Sequence, residues 1–578
     1  MHSDQRLVPR NLWIPISLAL TGINLEKNYL VKIQDDKRIH PLLLTLFLFF
    51  YNWKNMKPMA HLQNSSFSSY FCTILRINKS VSKRHFFGHH CKPMKKRIPF
   101  LPTLSKLSTP LLLIFSIFLF AGSEAFGVTK TSMTSGTWAS ITWSPVGLPV
   151  AGDDIIINTN VTTGPAAAIA NFASLTVNSG FTFTHTATAI TLTGNLQVDG
   201  TYQLTNQALT VNGTALINGT LNDNNTTGLN RIDGLFTVGG SGVVSNTNNP
   251  TYEFRGGITN NGSFTISGSG ITTFSTNNQT VQGNTLTFGP VTVGTGITVS
   301  SSGAVPVTIN GAIVLTGNID FTGAGLTTFA SLTCSGAGNI TLQSVSMAAT
   351  ATVSQTGTFT VLGTTTTAGT AITAASGLKS FQGLVTITGG NFTSNNTAPL
   401  EFQAGISNAG TLNQSGAGTV TFTGTQTISG AGAVTFAGPV TASADLNLAK
   451  TAGAVTFSNT LTVTGDLDLS SSSTSTVSGV GTVGSLTTSN GTTLTIGANN
   501  FTVSGTASLG GLMVDNNSGG TDTFTGAFSI LSTGELRELI GVSSSPWTFG
   551  STFSNAGTFN NTSNGSVLTF NDDITNTG

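Results

Sequence analysis

Nucleophilic catalysis of the serine or cysteine kind needs a base beside the nucleophile. Beyond residue 97 the chain holds one histidine, His185 in FTFTHTATAI, and one cysteine, Cys334 in SLTCSG. The threonines around His185 read as outward, which makes it a solvated surface position; Cys334 reads as a small buried core residue. Neither has a partner motif, and a zinc or iron site would need several such ligands. Carboxylates remain, as Asp153 with Asp154, Asp466 with Asp468, and Asp572 with Asp573. Adjacent strand residues point to opposite faces, so Asp153 and Asp154 do not form an acid and base pair, whereas Asp466 and Asp468 share a face. The positions 148 residues before that second pair hold Asn318 and Asp320, so it is repeat decoration as readily as a site. No Gly-rich nonapeptide accompanies the acidic turns. The sequence thus assigns no catalytic residue, no cofactor-binding residue and no metal ligand. A structural calcium ion at an acidic turn is the one cofactor left open.

Two stretches suggest recognition rather than catalysis. Trp138 and Trp143, in SGTWASITWSPVGLPVAGDD, could present an aromatic platform to a sugar. The alternative is that this bulky, irregular segment covers the raw apolar end of a repetitive stack, and that reading is preferred. The alternating threonines of FTFTHTATAITLT could face ice, although threonine is the expected outward residue of any exposed strand.

The elements that carry these residues are short strands. From about residue 161, Val, Leu, Ile or Phe alternates with Thr, Ser or Asn, and Gly or Asn punctuates every six to ten residues. No stretch has helical periodicity. LTGNLQVDGTY, from Leu192, aligns with VNGTALINGTL, from Val211, at a shift of 19, pairing Gly194 with Gly213 and Gly200 with Gly219. A 19-residue unit is too short for a domain but suits one coil of a β-solenoid with three strands and three tight turns. A longer repeat overlies it, with blocks at 253–283, 401–430 and 548–578 opened by Phe254, Phe402 and Phe549. The expected fold is all-β, a right-handed parallel β-helix of about 20 coils with an N-terminal cap over 126–160 and repeats over 161–578. Each 148-residue super-repeat should then be about seven coils. Tandem β-sandwich domains are the alternative, but they need linkers, and none separates the blocks.

Composition bounds the function. Of 23 Lys and Arg, 16 lie in residues 1–97, as do six of the seven His and two of the three Cys. From residue 126 onward six basic residues face 17 acidic ones, a net charge of −11. Such a surface cannot neutralise phosphates, which argues against nucleic acid. Cys334 alone can form no intrachain disulfide. Met94 begins MKKRIPFLPTLSKLSTPLLLIFSIFLFAGSEAFG, which has the basic, apolar and small-residue parts of a secretory signal, with Ser123 and Ala125 placed for cleavage after Ala125. Residues 94–125 are therefore expected to be a signal peptide. Residues 1–93 are expected to be upstream sequence foreign to the mature protein, or a disordered basic segment. Gly578 falls inside a repeat, so a longer protein is expected, its further part anchoring to the outer membrane or to export machinery.

The signal peptide, the W-x4-W-x-P motif from Trp138 to Pro145 with its following Gly-Asp-Asp, and the SLTVNSG and LTGNLQVDGTY repeats resemble one family. They are those of large secreted or surface repeat proteins of Bacteroidetes-type bacteria. More loosely they resemble the passenger regions of autotransporter and filamentous-haemagglutinin-like adhesins. The likeness covers residues 94–578. It implies a β-helical stalk, export through the inner membrane, and display at the cell surface, where glycans or neighbouring and host cell surfaces are the partners. Two other readings stand beside the adhesin-like one: a carbohydrate-active β-helix of the polysaccharide lyase or hydrolase kind, and a purely architectural surface-layer or matrix component.

Overall fold

The computed structural model describes residues 127–578 except 167–169, 227, 331–332, 472, 498, 517–518, 540–544 and 562–565. The expected signal peptide and the segment before it lie outside the described residues. Period-two alternation places every second side chain inward, and the strands obey it. The pattern in Leu196–Val198, Ala215–Ile217 and Phe236–Val238 is buried, solvated, buried. Successive strands turn through three faces and then stack on the strand one coil earlier. Leu196 pairs with Leu175 before it and Ala215 after it, so the 19-residue shift is one coil.

The three faces are parallel ladders. Face I runs from Thr129–Ser132 to Leu568–Phe570, and face II from Gly136–Thr137 to Ile574–Asn576. Face III holds 20 strands, from Asn171–Phe172 to Thr558–Asn560. About 20 coils at ~4.8 Å give a stack on the order of 100 Å long. The only antiparallel pairing among the described strands joins Thr131 and Ser132 to Ser144 and Trp143. Tandem sandwiches, which are antiparallel throughout, are excluded. In four coils, Asn318–Phe329, Ile340–Met347, Leu461–Leu469 and Gly481–Thr488, faces I and II join in one bent strand, with register shifts between Phe321 and Leu326 and between Val463 and Asp466.

One apolar core runs along the stack from Trp138 to Phe553. Phe381, Phe402 and Phe422 stack in successive coils at 5.5 Å between centroids. Corners demand glycine where backbones of neighbouring coils touch. A Cβ on Gly338 would stand 1.7 Å from the Gly317 carbonyl oxygen, and one on Gly357 would stand 2.2 Å from that of Gly338.

The long repeat meets this architecture in a way its residue spacing hides. Phe254 lies on face III, paired with Phe274, but Phe402 and Phe549 lie on face I. The strands after them shift likewise: Ile258–Asn260 is on face I, whereas Ile406–Asn408 and Phe553–Asn555 are on face II. From the first block to the second is therefore seven coils and one strand; from the second to the third is seven coils. The expectation of seven coils holds for the second interval and is corrected for the first. The same displacement moves Asp320 on face I to Asp468 on face II.

Candidate functional site

His185 follows Phe183 by two in Thr182–His185, so strand parity points it inward, and it is wholly buried. The expectation of a solvated surface position is corrected: the flanking threonines face out because the histidine faces in. Its Nε2 lies 2.6 Å from the Thr188 carbonyl oxygen, which can only accept. Nε2 therefore carries the proton, and Nδ1 accepts from the Tyr202 hydroxyl at 3.1 Å. Burial pushes the imidazole below its ordinary pKa.

Two coils on, Asp223 occupies the same inward column, since Leu204 pairs with both His185 and Asp223. Its carboxylate accepts from the Asn225 backbone N–H at 2.9 Å and from the Asn230 side-chain amide. Burial pushes Asp223 up to about 6, against the pull of these donors. His185, Tyr202, Asp223, Asn225 and Asn230 are all buried. They form an interior network.

Cys334 is buried in face III, as expected, and burial raises its thiol to about 12. Asp153 is buried and binds the chain together: its two oxygens accept from Val128 N–H and Val150 N–H, each at 2.8 Å. Asp154 points the other way and accepts from Ser174 Oγ at 2.5 Å. Asp572 and Asp573 are exposed. Asp466 and Asp468 do share a face, and Asp445 joins them from the preceding coil, accepting from Asp466 N–H at 2.9 Å. Partial burial, with Asp466 nearby, raises the Asp468 carboxyl. Among the described residues no three His, Cys, Asp or Glu side chains are placed to hold a metal ion.

Trp138 and Trp143 are 3% and 2% exposed and pack at 4.8 Å, with Trp138 also 5.7 Å from Phe172 and 5.9 Å from Phe183. A sugar platform needs open ring faces, so that expectation is overturned. The indoles instead lie over the first coil's core.

Lysine burial escaped the sequence reading. Lys379 fills an inward slot on face I that belongs to Phe359 one coil before and Leu400 one coil after. Its ammonium donates to the carbonyls of Gln355 at 3.0 Å and Gly357 at 2.6 Å. Lys450 is equally buried and donates to Ser429 O at 3.3 Å. Desolvation lowers both to about 8. Lys130 reaches the carbonyls of Pro145, Val146 and Gly147. The parity of Lys379 with Phe381 was the available signal. The arginines remain outward: on face III, Arg231, Asp233, Glu253 and Arg255 form a half-buried ionic network with contacts of 2.9–3.4 Å.

What the long repeat preserves is interior. Phe254, Phe402 and Phe549 are buried, as are Asn260 and Asn408, whose amides donate to the carbonyls of Thr285 and Ala433. Several outward positions drift, from Glu253 and Glu401 to Thr548, and from Arg255 to Gln403 and Gly550, although Thr273, Thr421 and Thr569 recur. A search against protein-family models, curated proteins and solved structures finds no match.

Proposed function

We propose that the chain is an adhesin-like structural protein, secreted or displayed at the cell surface, whose β-helical stalk spaces and presents its outward side chains to glycans or cell surfaces. One observation carries this reading. About 20 coils share one uninterrupted core, and the duplicated blocks repeat what fills that core rather than any outward cluster of reactive groups. Repetition selected for the interior builds length, and length is what a stalk supplies. The signal-peptide pattern from Met94 and the resemblance to Bacteroidetes-type surface repeat proteins support export.

A carbohydrate-active role is the second reading, favoured by the raised carboxyl of Asp468 beside Asp466, whose backbone N–H donates to Asp445. A glycan and cell-surface binding screen on the full chain, run beside a polysaccharide-degradation assay, separates the two. Saturable binding without product is expected. Degradation abolished by Asp468→Asn would replace the adhesin reading, and binding of neither glycan nor cell would leave an architectural matrix component.

A further inference from the structure

The outward residues of face I change character at Thr421. Thr421 pairs with Thr441, and threonine meets threonine coil after coil through Thr462, Thr482 and Thr502 to Thr569. Seven successive register pairs make eight consecutive coils with the same side chain at the same solvent-facing position. Nowhere else among the described residues does one outward residue type persist so long. On face III the threonine run from Thr435 to Thr495 covers four coils and breaks at Val514.

The flanking columns belong to the same plane. Two residues after the central threonine, in six of the eight coils, the backbone still bonds to the coil below: Thr423 N–H donates to Phe402 O at 3.0 Å, Ser443 N–H to Phe422 O at 3.0 Å, and Ser504 N–H to Val483 O at 3.0 Å, while between the coils of Thr462 and Thr482 the register shifts after Val463. On the other side Val420 N–H donates to Pro439 O and Val440 N–H to Thr460 O, each at 2.8 Å. Across these three columns and eight coils the outward residues are Thr, Ser, Asn, Gly, Val and Pro. None is ionisable and none is aromatic.

That chemistry narrows the occupant. A charged polymer finds no counter-charge, a sugar ring finds no aromatic face to stack on, and a protein partner finds no contiguous apolar patch. What the face offers is one unbroken column of eight threonines at a fixed ~4.8 Å repeat along the stack, flanked by a column with Thr or Ser in five coils and a column with Thr in three. Each hydroxyl donates one hydrogen bond and accepts two, as a lattice water can. The oxygen repeat of hexagonal ice lies close to that spacing, and the methyls between hydroxyls restrict how first-layer water can orient.

We propose that face I between Thr421 and Thr569 binds the surface of ice, through water ordered by its threonine array. The stretch FTFTHTATAITLT, where the sequence suggested such a surface, does not form one. Thr184 faces Gln203 in the next coil, and the column from Thr191 and Thr210 runs into Arg231. The array is built instead from residues about twenty apart, each unremarked in its own strand.

The test is partition of the fluorescently labelled full chain into a slowly growing ice hemisphere, with inhibition of ice recrystallisation as a second readout. The wild-type chain is expected to enter the ice. A triple variant, Thr462→Lys, Thr482→Lys and Thr502→Lys, is expected to be excluded at least tenfold, and the single Thr482→Lys partly so. The face II variant Ser508→Lys, Ser529→Lys and Ser554→Lys, in neighbouring coils, should partition like wild type. Unfolding midpoints within a few degrees of wild type would show that the stack is intact in each. Exclusion of the wild-type chain, or equal loss in both triple variants, overturns the proposal. The glycan screen is independent of this outcome, so either reading can fail alone.

Discussion

At the scale of single residues, the interior holds its charges by lending them to the backbone. Lys379 and Lys450 stand where an apolar side chain would pack, yet their ammonium groups meet carbonyl oxygens at the corners. Both have folded-state pKa values near 8, below the ordinary 10.5. A depressed value means that the stabilising contribution is complete above about 10.5 and is lost as pH falls through about 8. The chain should therefore resist heat better at pH 9.5 than at pH 7. In the double variant Lys379→Met and Lys450→Met that gain should shrink by on the order of 1–3 kcal/mol. Melting curves at both pH values check it, and an undiminished slope in the variant would refute the assignment. Lys379 was legible from parity with Phe381 and Lys450 from parity with Leu448, as His185 was from parity with Phe183. Composition worked against both readings, because Lys and His are usually taken for surface residues.

At the scale of elements, a three-residue strand contributes two inward side chains and one outward, so each strand's hold on the stack is its pair of core residues. Phe402 touches Phe381 below and Phe422 above, and Phe402→Ala should cost about 3–5 kcal/mol, read as a lowered unfolding midpoint. An outward change such as Thr360→Ser should move the midpoint by no more than about 0.5 kcal/mol. A midpoint equally sensitive to both would mean that the core does not carry the stability. The strand pattern, coil length and architecture were readable because alternation and the 19-residue shift are local. Which strands share a face was not, because it depends on how many turns intervene rather than on how many residues. For that reason the threonine array and the contact of Asp445 with the Asp466 backbone appear only in three dimensions.

At the scale of the whole molecule, each coil touches only its neighbours, so removal of a complete coil should be tolerated. Deleting residues 196–214 brings Ala215–Ile217 onto Ser174–Val177 in the register that Leu196–Val198 holds now. Circular dichroism should keep the wild-type β signal, with stability lowered only by the roughly 1–3 kcal/mol of the buried Tyr202 to His185 hydrogen bond that the deletion removes, whereas a molten product would contradict nearest-neighbour stacking. The one-strand offset between the first two long blocks carries a further consequence. A block whose residues fill face III in one copy and face I in the next shows that the interior wedges are interchangeable around the axis. The smallest unit by which such a rod can be spliced is then a strand with its turn, not a coil. Each such splice would swivel everything beyond it by about a third of a turn, so that the stalk behaves as a dial that aims its distant faces without altering how any coil is built.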